Sequence, residues 1–220
     1  LKDARIVNVF TEEIIRGDIA IQDGIIAGIG SFHGKEECDL AGRYVCPGFI
    51  DSHLHLESTL VTPAELVTAA SRHGTTTFIV DPHESANVSG LAGIDYILDQ
   101  TENVKANVYV MMPSCVPATS IDDNGCTLTA EDMAPYLHNS RILGLGEVMD
   151  SISVVQGEKS MHDKLDTIEE VKGIKPIFFG VEGQKPVYAD EIESLGLSGI
   201  ACTIHADGES IRVTVPIPGW

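Results

Sequence analysis

The sequence has few basic residues, no long hydrophobic run and no paired cysteine motif. Only 14 lysines and arginines stand against 33 acidic residues, which gives a formal net charge of −19 at pH 7. A surface of that sign repels nucleic acid and anionic membranes, so neither is expected as a partner. A neutral or cationic small molecule, or a metal ion, fits the charge better.

The missing hydrophobic run and cysteine pairs narrow the class of protein further. No apolar stretch approaches the roughly 20 residues that a transmembrane helix needs, and the first residues lack the pattern of a secretory signal. The five cysteines are scattered without a CxxC pair, which argues against a disulfide framework and a thiolate zinc site. We therefore expect a cytoplasmic protein. Because the sequence begins at Leu1, we also expect it to start inside a longer reading frame.

What the 220 residues do contain is an alternation of short strands and amphipathic helices. Residues 1–45 have the pattern of a small antiparallel β segment, with turn chemistry at Arg16–Asp18 and Asp23–Gly24. From Tyr44 the pattern changes to strands that are apolar on both sides and alternate with helices. That pattern is typical of a parallel sheet covered by helices.

Two of the predicted helices carry clear N-terminal signals. Thr62 precedes Pro63 at the start of one helix, and Thr129 precedes a second, shorter helix. Threonine is a favoured N-cap, and proline is tolerated at the first helical position, so both helices are expected to begin at these residues.

Polar residues collect where the predicted parallel strands end. They are His53, His55 and Glu57 after the first strand, Asp81, His83 and Glu84 after the second, Ser114 after the third, and Glu147 and Asp150 after the fourth. An open doubly wound sheet usually has a glycine-rich first turn, and none follows a strand here. A (β/α)8 barrel builds its active site at the C-terminal ends of its strands, so the pattern favours a barrel.

The residue types at these ends favour a metal site. His53 and His55 are two residues apart, so a strand directs both imidazoles to one face. The same spacing predicts that Asp81 and His83 share a face of the second strand. Glu147 lies in the apolar stretch LGLGEVMD, where a cation would offset the cost of burying a carboxylate. Histidine and carboxylate without cysteine suit iron(II), manganese or zinc, and two such metals would supply hydroxide for attack on an sp2 carbon.

Each part of the pattern also has a structural interpretation. An HxH pair by itself is common in proteins without metal. The residues around Pro82 could form a turn and cap cluster, and Glu57 could cap the segment that follows it. We expect four further histidines to be surface residues and leave the role of His205 open; the four are His33, His73, His138 and His162.

Four separated segments resemble one family, in the same order along the chain. They are PGFIDSHLHLEST, GTTTFIVDPHESANV, MMPSCVPAT and LGLGEVMD. The first resembles the opening signature of the amidohydrolase superfamily, and the four together resemble the bacterial adenine deaminase family within it. The opening ARIVNVFTEEIIRGDIAIQDGIIAGIG is similar to the β segment that precedes the barrel in these enzymes, so the resemblance covers about residues 4–170.

The resemblance implies an amidohydrolase-type TIM barrel, an α/β fold, preceded by a β segment that belongs to a β-sandwich domain. It also implies a binuclear metal site, with manganese or iron(II) favoured and zinc possible. The implied ligands are His53 and His55 for one metal, Glu147 as a bridge and catalytic residue, and Asp81, His83 and Glu84 for a second or accessory metal. The implied reaction is attack of metal-activated hydroxide on C6 of adenine, which gives hypoxanthine and ammonia.

The resemblance further implies a purine substrate and, in the full-length family, a homo-oligomer. Ser114 and Thr119 lie where the loop after the third strand would meet the substrate, so they are candidates for substrate contacts. Two alternatives stay open. One is a different amidohydrolase that acts on a cyclic amide or N-acetyl substrate, and the other is a catalytically inactive fragment.

The sequence departs from the family after about residue 172. The family needs a histidine in a motif such as GHAPGLSG, a later metal-binding histidine and an aspartate after the eighth strand. The stretch GQKPVYADEIESLGLSG has no histidine, and nothing downstream supplies the other two. We expect a β segment at residues 1–45, the first half of the barrel at 46–172, and a diverged or frame-disrupted tail at 173–220.

Overall fold

A computed structural model of the chain describes residues 1–119, 121–174, 179–181 and 187–216. The chain divides into two compact units. One comprises Leu1–Ser85 and Ala92–Val110, and the other comprises Ala86–Leu91 and Met111–Trp220. The strands of the described residues form three four-stranded sheets.

The first sheet is mixed and lies at the start of the first unit. Its strands are β1 Ala4–Asn8, β2 Glu13–Gln22, β3 Ile25–Gly30 and β4 Tyr44–Val45, in the order β3-β2-β1-β4. β1 pairs antiparallel with β2 and parallel with β4, and β2 pairs antiparallel with β3. Alternate side chains of β1 point to one face. Ala4 and Ile6 therefore pack with Ile19 in a buried core.

The two predicted turns of this sheet had different outcomes. The hairpin at Asp23–Gly24 is confirmed, since both residues have positive φ (52° and 78°), as a type I′ turn requires. The turn predicted at Arg16–Asp18 is wrong, because β2 continues through these residues and pairs with β1 and β3. The chain reverses instead between β1 and β2, before Glu13.

The second sheet is parallel and begins in the first unit. Its strands there are β5 Phe49–Leu54, β6 Thr75–Val80 and β7 Asn107–Met112, connected by α1 Pro63–Ser71, α2 His83–Ser89 and α3 Leu91–Gln100. β6 pairs in parallel with both β5 and β7, and Val80 lies opposite Val110. Parallel strands need crossover connections, which the helices supply. Phe78, Ile94 and Ile97 belong to the buried core.

β8 Ile142–Leu145 lies in the second unit, and Gly146 N, directly after it, donates to Met112 O over 2.6 Å. The strand order is β5-β6-β7-β8. The expected α/β class, with a four-stranded parallel sheet and helices, is therefore confirmed. The described residues form no closed barrel. The remaining helices are α4 Ala130–Met133, α5 Ser151–Gln156 and α6 Lys159–Lys172, with 3₁₀ turns at Glu57–Thr59, Tyr136–His138 and Gly196–Ser198.

Both predicted helix starts are confirmed. The Thr62 side chain accepts a hydrogen bond from Glu65 N, and Pro63 is the first residue of α1. Thr129 and Asp132 form a reciprocal capping box at the start of α4. None of the helices built from the described residues combines the length and hydrophobicity that a bilayer crossing requires.

The third sheet contains the last strands of the described residues. Its strands are β9 Phe179–Val181, β10 Val187–Ser194, β11 Ile200–Ala206 and β12 Glu209–Val215, in the order β12-β11-β10-β9. β10, β11 and β12 pair antiparallel, and β9 runs parallel to β10. Residues 175–178, 182–186 and 217–220 of the predicted tail lie outside the described residues. The division into three segments at residues 45 and 172 stays a prediction.

Candidate metal centre

The end of β5 presents two histidines close together. His53 lies within the strand and is exposed, whereas His55 follows the strand end and is half-buried. Their ring centroids are 4.9 Å apart, with the rings at 86°. Nδ1 of His55 lies 2.7 Å from the carbonyl oxygen of Asp81. A carbonyl can only accept, so Nδ1 carries the proton and Nε2 keeps the lone pair that a metal requires.

The end of β6 carries a buried acid and histidine, but with a geometry that the sequence pattern did not predict. β6 ends at Val80, and His83 is the first residue of α2. The prediction that Asp81 and His83 share a face of the strand is therefore wrong, because Pro82 and the start of the helix separate them. The two side chains meet nonetheless: Asp81 Oδ1 lies 2.6 Å from His83 Nδ1.

Burial decides the chemistry of this second pair. Asp81 is 0% exposed and His83 is 4% exposed. A buried carboxylate is costly unless a donor or cation compensates it, and the contact of Asp81 with His83 does not have the geometry of a hydrogen bond. Among the described residues, neither Nδ1 nor Nε2 of His83 has a hydrogen-bond partner. Buried imidazole nitrogens without a partner next to a carboxylate are consistent with a metal site.

Glu57 and Glu84 complete the polar cluster of the first unit. Glu57 Oε1 accepts hydrogen bonds from Glu84 N (3.0 Å) and Ser85 N (3.2 Å), two amides in the first turn of α2 that lack helical partners. Burial, and then the neighbouring Glu84 carboxylate, raise the pKa of Glu57. His55, Glu57 and Glu84 each offer one ligand atom, and these atoms lie within 4.8 Å of one another.

The remaining predicted site residues belong to the second unit. Glu147 follows β8 with an exposed side chain, and its backbone carbonyl accepts a hydrogen bond from Ser114 Oγ. Ser114 is 0% exposed. The hydroxyl of the exposed Thr119 donates to Asp122 Oδ2 over 2.6 Å. Both hydroxyls proposed for substrate contact therefore already donate to protein oxygens.

One residue of this region was not predicted from the sequence. Lys164 of α6 is only 7% exposed, and its Nζ donates to Ser114 O over 2.7 Å. Burial lowers its pKa. The signal was present in the sequence, because Lys164 falls between Met161 and Ile168 at the spacing of the buried face of α6.

The donor set of the first unit fits a divalent metal. It consists of imidazole nitrogens and carboxylate oxygens, which suit manganese, iron(II) or zinc. The arrangement of the half-buried His55 ring and the buried His83 ring supports this fit. His55 directs Nδ1 at the carbonyl oxygen of Asp81 and keeps Nε2 as the candidate ligand atom, whereas neither ring nitrogen of His83 has a hydrogen-bond partner among the described residues.

The sequence matches the model of the Amidohydrolase family over residues 44–208. It is 58% identical to the adenine deaminase of Desulfitobacterium hafniense (strain Y51) over 170 residues, which is 77% of this chain and 30% of that protein. It is 46% identical to the adenine deaminase of Clostridium acetobutylicum over 201 residues, 91% of this chain and 34% of that protein.

A third relative, adenine deaminase 2 of Desulfotalea psychrophila, is 47% identical over 206 residues, 94% of this chain and 33% of that protein. The chain thus spans about a third of the length of the curated relatives it matches. Since the family model covers most of the chain, including the strand ends with their histidines, the chain belongs to the amidohydrolase family.

Proposed function

We propose that this chain supplies the amino-terminal part of an adenine deaminase-type hydrolase, which converts adenine and water to hypoxanthine and ammonia. The observation that carries the proposal is the oriented imidazole of His55, whose Nδ1 donates to the Asp81 carbonyl, beside the buried pair of Asp81 and His83. Identities of 46% to 58% with proteins named adenine deaminase supply the reaction class. The substrate is then a purine, in keeping with the strongly acidic composition.

The proposed metal ligands are those that the family resemblance implies. His53 and His55 would hold one divalent ion, and Glu147 would be a ligand shared with a second ion. Asp81, His83 and Glu84 are the candidate ligands of the second ion. Nitrogen and oxygen donors favour manganese or iron(II) and allow zinc. Such ions lower the pKa of water enough to supply hydroxide near neutral pH.

Asp81 has two separate duties in this proposal. Its backbone carbonyl accepts the Nδ1 proton of His55, and its carboxylate lies 2.6 Å from Nδ1 of His83. One buried residue therefore sets the tautomer of His55 and contacts the ring of His83. Because ligand orientation controls affinity, the loss of such a partner typically costs about 10- to 100-fold in metal binding.

The fold of the complete site is proposed from the family. We infer that β5 to β8 are the first four strands of a (β/α)8 barrel, and that the amino-terminal sheet belongs to a β-sandwich. Support for the sandwich comes from Ile21, Ile25 and Ile26, which are 54% to 69% exposed on β2 and β3. Further strands would cover apolar side chains of this kind.

A second candidate function is metal binding without turnover. The observation that favours it is the group formed by His55, Glu57 and Glu84, whose ligand atoms lie within 4.8 Å of one another. The interpretation of residues 173–220 as frame-disrupted stays a prediction. Two relatives match 91% and 94% of the chain, so their matches extend into this segment. The cytoplasmic location and the homo-oligomer also stay predictions.

The proposed function is tested with a chimera. In the Desulfitobacterium adenine deaminase, the matching segment is replaced by this chain, and ammonia release from adenine is measured after loading with Mn²⁺. We expect the chimera to release ammonia, and the same chimera with Glu147→Gln to fall to the rate of Mn²⁺ in buffer. Activity on a cyclic amide or N-acetyl compound, but not on adenine, would contradict the proposed substrate.

The second candidate is tested with the chain alone. The 220-residue chain is loaded with Mn²⁺ and assayed in the same way. Bound metal without ammonia release is the result expected for metal binding without turnover. Release above the rate of Mn²⁺ in buffer, lost in Glu147→Gln, would refute that candidate and show that this chain suffices for catalysis.

A further inference from the structure

A buried lysine lies at the centre of the hydrogen bonds that hold the segment carrying Glu147. Lysine is almost never fully buried in proteins unless it is paired, because desolvation of the ammonium group is costly. Lys164 is only 7% exposed, and its Nζ donates to the carbonyl of Ser114 over 2.7 Å. The cost of this burial calls for a compensating structural role.

The residues that Lys164 holds are in turn bonded to the segment after β8. Ser114 Oγ donates to the carbonyl of Glu147. The next residue, Cys115, accepts a hydrogen bond at Sγ from Asp150 N over 3.3 Å. Ser114 and Cys115 therefore bind the two ends of the segment Glu147–Asp150.

A third hydrogen bond fixes the start of that segment. Gly146 N donates to Met112 O over 2.6 Å, which continues the sheet by one residue. The backbone is thus bonded on both sides of Glu147, while the side chains of Glu147, Val148 and Met149 are exposed. A fixed backbone with an exposed side chain keeps a metal-binding residue such as Glu147 in position before the metal binds.

We propose that Lys164 is a positioning residue for Glu147, acting through the backbone of Ser114 and the Ser114 hydroxyl. The proposal rests on the bridging role of Glu147 given under the proposed function. Lys164 contacts neither substrate nor metal in this account. The Lys164 amine fixes the turn after β7 by its hydrogen bond to the Ser114 carbonyl. The Ser114 hydroxyl in turn fixes the backbone carbonyl of Glu147, whose carboxylate is the proposed metal ligand. Ser114 is then part of the same support, and its hydroxyl is not available to a substrate.

The test compares two variants of the 220-residue chain with a matched control. Lys164→Met removes the amine and keeps a side chain of similar length. Ser114→Ala removes only the hydroxyl and is the smaller change if the first variant fails to fold. The control is Lys159→Met on the same helix, since Lys159 is 86% exposed and pairs only with Asp163 among the described residues.

Two readouts separate positioning from a general loss of stability. The first is amide hydrogen exchange of residues 146–150 in the metal-free chain, relative to exchange in α1. We expect it to become about 3- to 10-fold faster in both variants, the range for loss of one hydrogen bond, and to stay unchanged in Lys159→Met. The second is Mn²⁺ affinity by equilibrium dialysis, which should fall about 10- to 100-fold.

The outcomes distinguish this inference from the proposed function. If Glu147→Gln leaves Mn²⁺ binding unchanged, the bridging role fails, and the exchange data alone decide whether Lys164 fixes the segment. If Glu147→Gln weakens binding but Lys164→Met and Ser114→Ala alter neither exchange at residues 146–150 nor Mn²⁺ affinity, the positioning role is overturned. A lowered melting temperature with unchanged local exchange also overturns it.

Discussion

The ends of β5 and β6 carry similar residues but differ in burial. At the end of β5, His53 is exposed, and the His55 side chain keeps 26% of its surface accessible. At the end of β6, Asp81 and His83 are 0% and 4% exposed, and Asp81 Oδ1 lies 2.6 Å from His83 Nδ1. The β5 end is therefore an open end, exposed to solvent, whereas the β6 end is a closed end, in which the two side chains are buried against each other.

The largest expected effect is the loss of Mn²⁺ affinity when both histidines of the open end are removed. The double variant His53→Ala/His55→Ala should lower Mn²⁺ affinity by more than about 100-fold, because it removes two proposed ligands. Loss of a hydrogen-bond partner of a ligand typically costs less, about 10- to 100-fold. Affinity is measured by equilibrium dialysis with elemental analysis. The control His73→Ala/His138→Ala removes two exposed histidines. Equal affinity in the two double variants would contradict the ligand assignment.

The closed end should respond in stability rather than in ligand binding alone. Asp81→Ala removes a fully buried side chain that contacts the His83 ring, so we expect the metal-free chain to lose about 1 to 3 kcal/mol of unfolding free energy. The exposed His53→Ala should change it by less than about 0.5 kcal/mol. Urea unfolding followed by circular dichroism measures both. A loss for His53→Ala as large as that for Asp81→Ala would remove the contrast between the two ends.

The smallest effect concerns the pH dependence at the open end. The raised pKa of Glu57 means that the folded chain keeps this proton to a higher pH than the unfolded chain, where the glutamate titrates near 4.5. Stability therefore falls as the pH rises from that value through the raised pKa. In the metal-free chain, Glu57→Gln should reduce the fall in melting temperature between about pH 4 and pH 7 by about 1 to 3 °C.

The control for this pH dependence is Glu102→Gln, which changes an exposed glutamate outside the cluster. Its melting temperature should follow that of the unchanged chain at every pH. If Glu57→Gln and Glu102→Gln show the same slope, the burial of Glu57 next to Glu84 does not control the titration.

Local chemistry explains which parts of the fold were predicted from the sequence. Thr62, Thr129 and the Asp23–Gly24 turn were predicted correctly because caps and tight turns depend on neighbouring residues. The turn at Arg16–Asp18 was wrong because pairing of β2 with two strands outweighs the turn preference of a single glycine.

The site shows the same division between local and tertiary information. The motif gave the residues of the β6 end, but strand alternation failed there because His83 opens α2. From the sequence, Glu57 could cap the segment directly after it. In the structure its carboxylate accepts hydrogen bonds from two amides of α2, which is far along the chain. Lys164 was missed because its partner, the Ser114 carbonyl, is 50 positions away in the sequence.

The central proposal is that the strand ends of this chain would hold two divalent ions, with Glu147 as a ligand of both. The most direct measurement is the number of Mn²⁺ ions bound per chain at saturation, by dialysis and elemental analysis, for the unchanged chain and for Glu147→Gln. The account predicts about two ions for the unchanged chain and about one for the variant, as a shared ligand requires. Two ions retained by Glu147→Gln with unchanged affinity, or none bound by the unchanged chain, would contradict it.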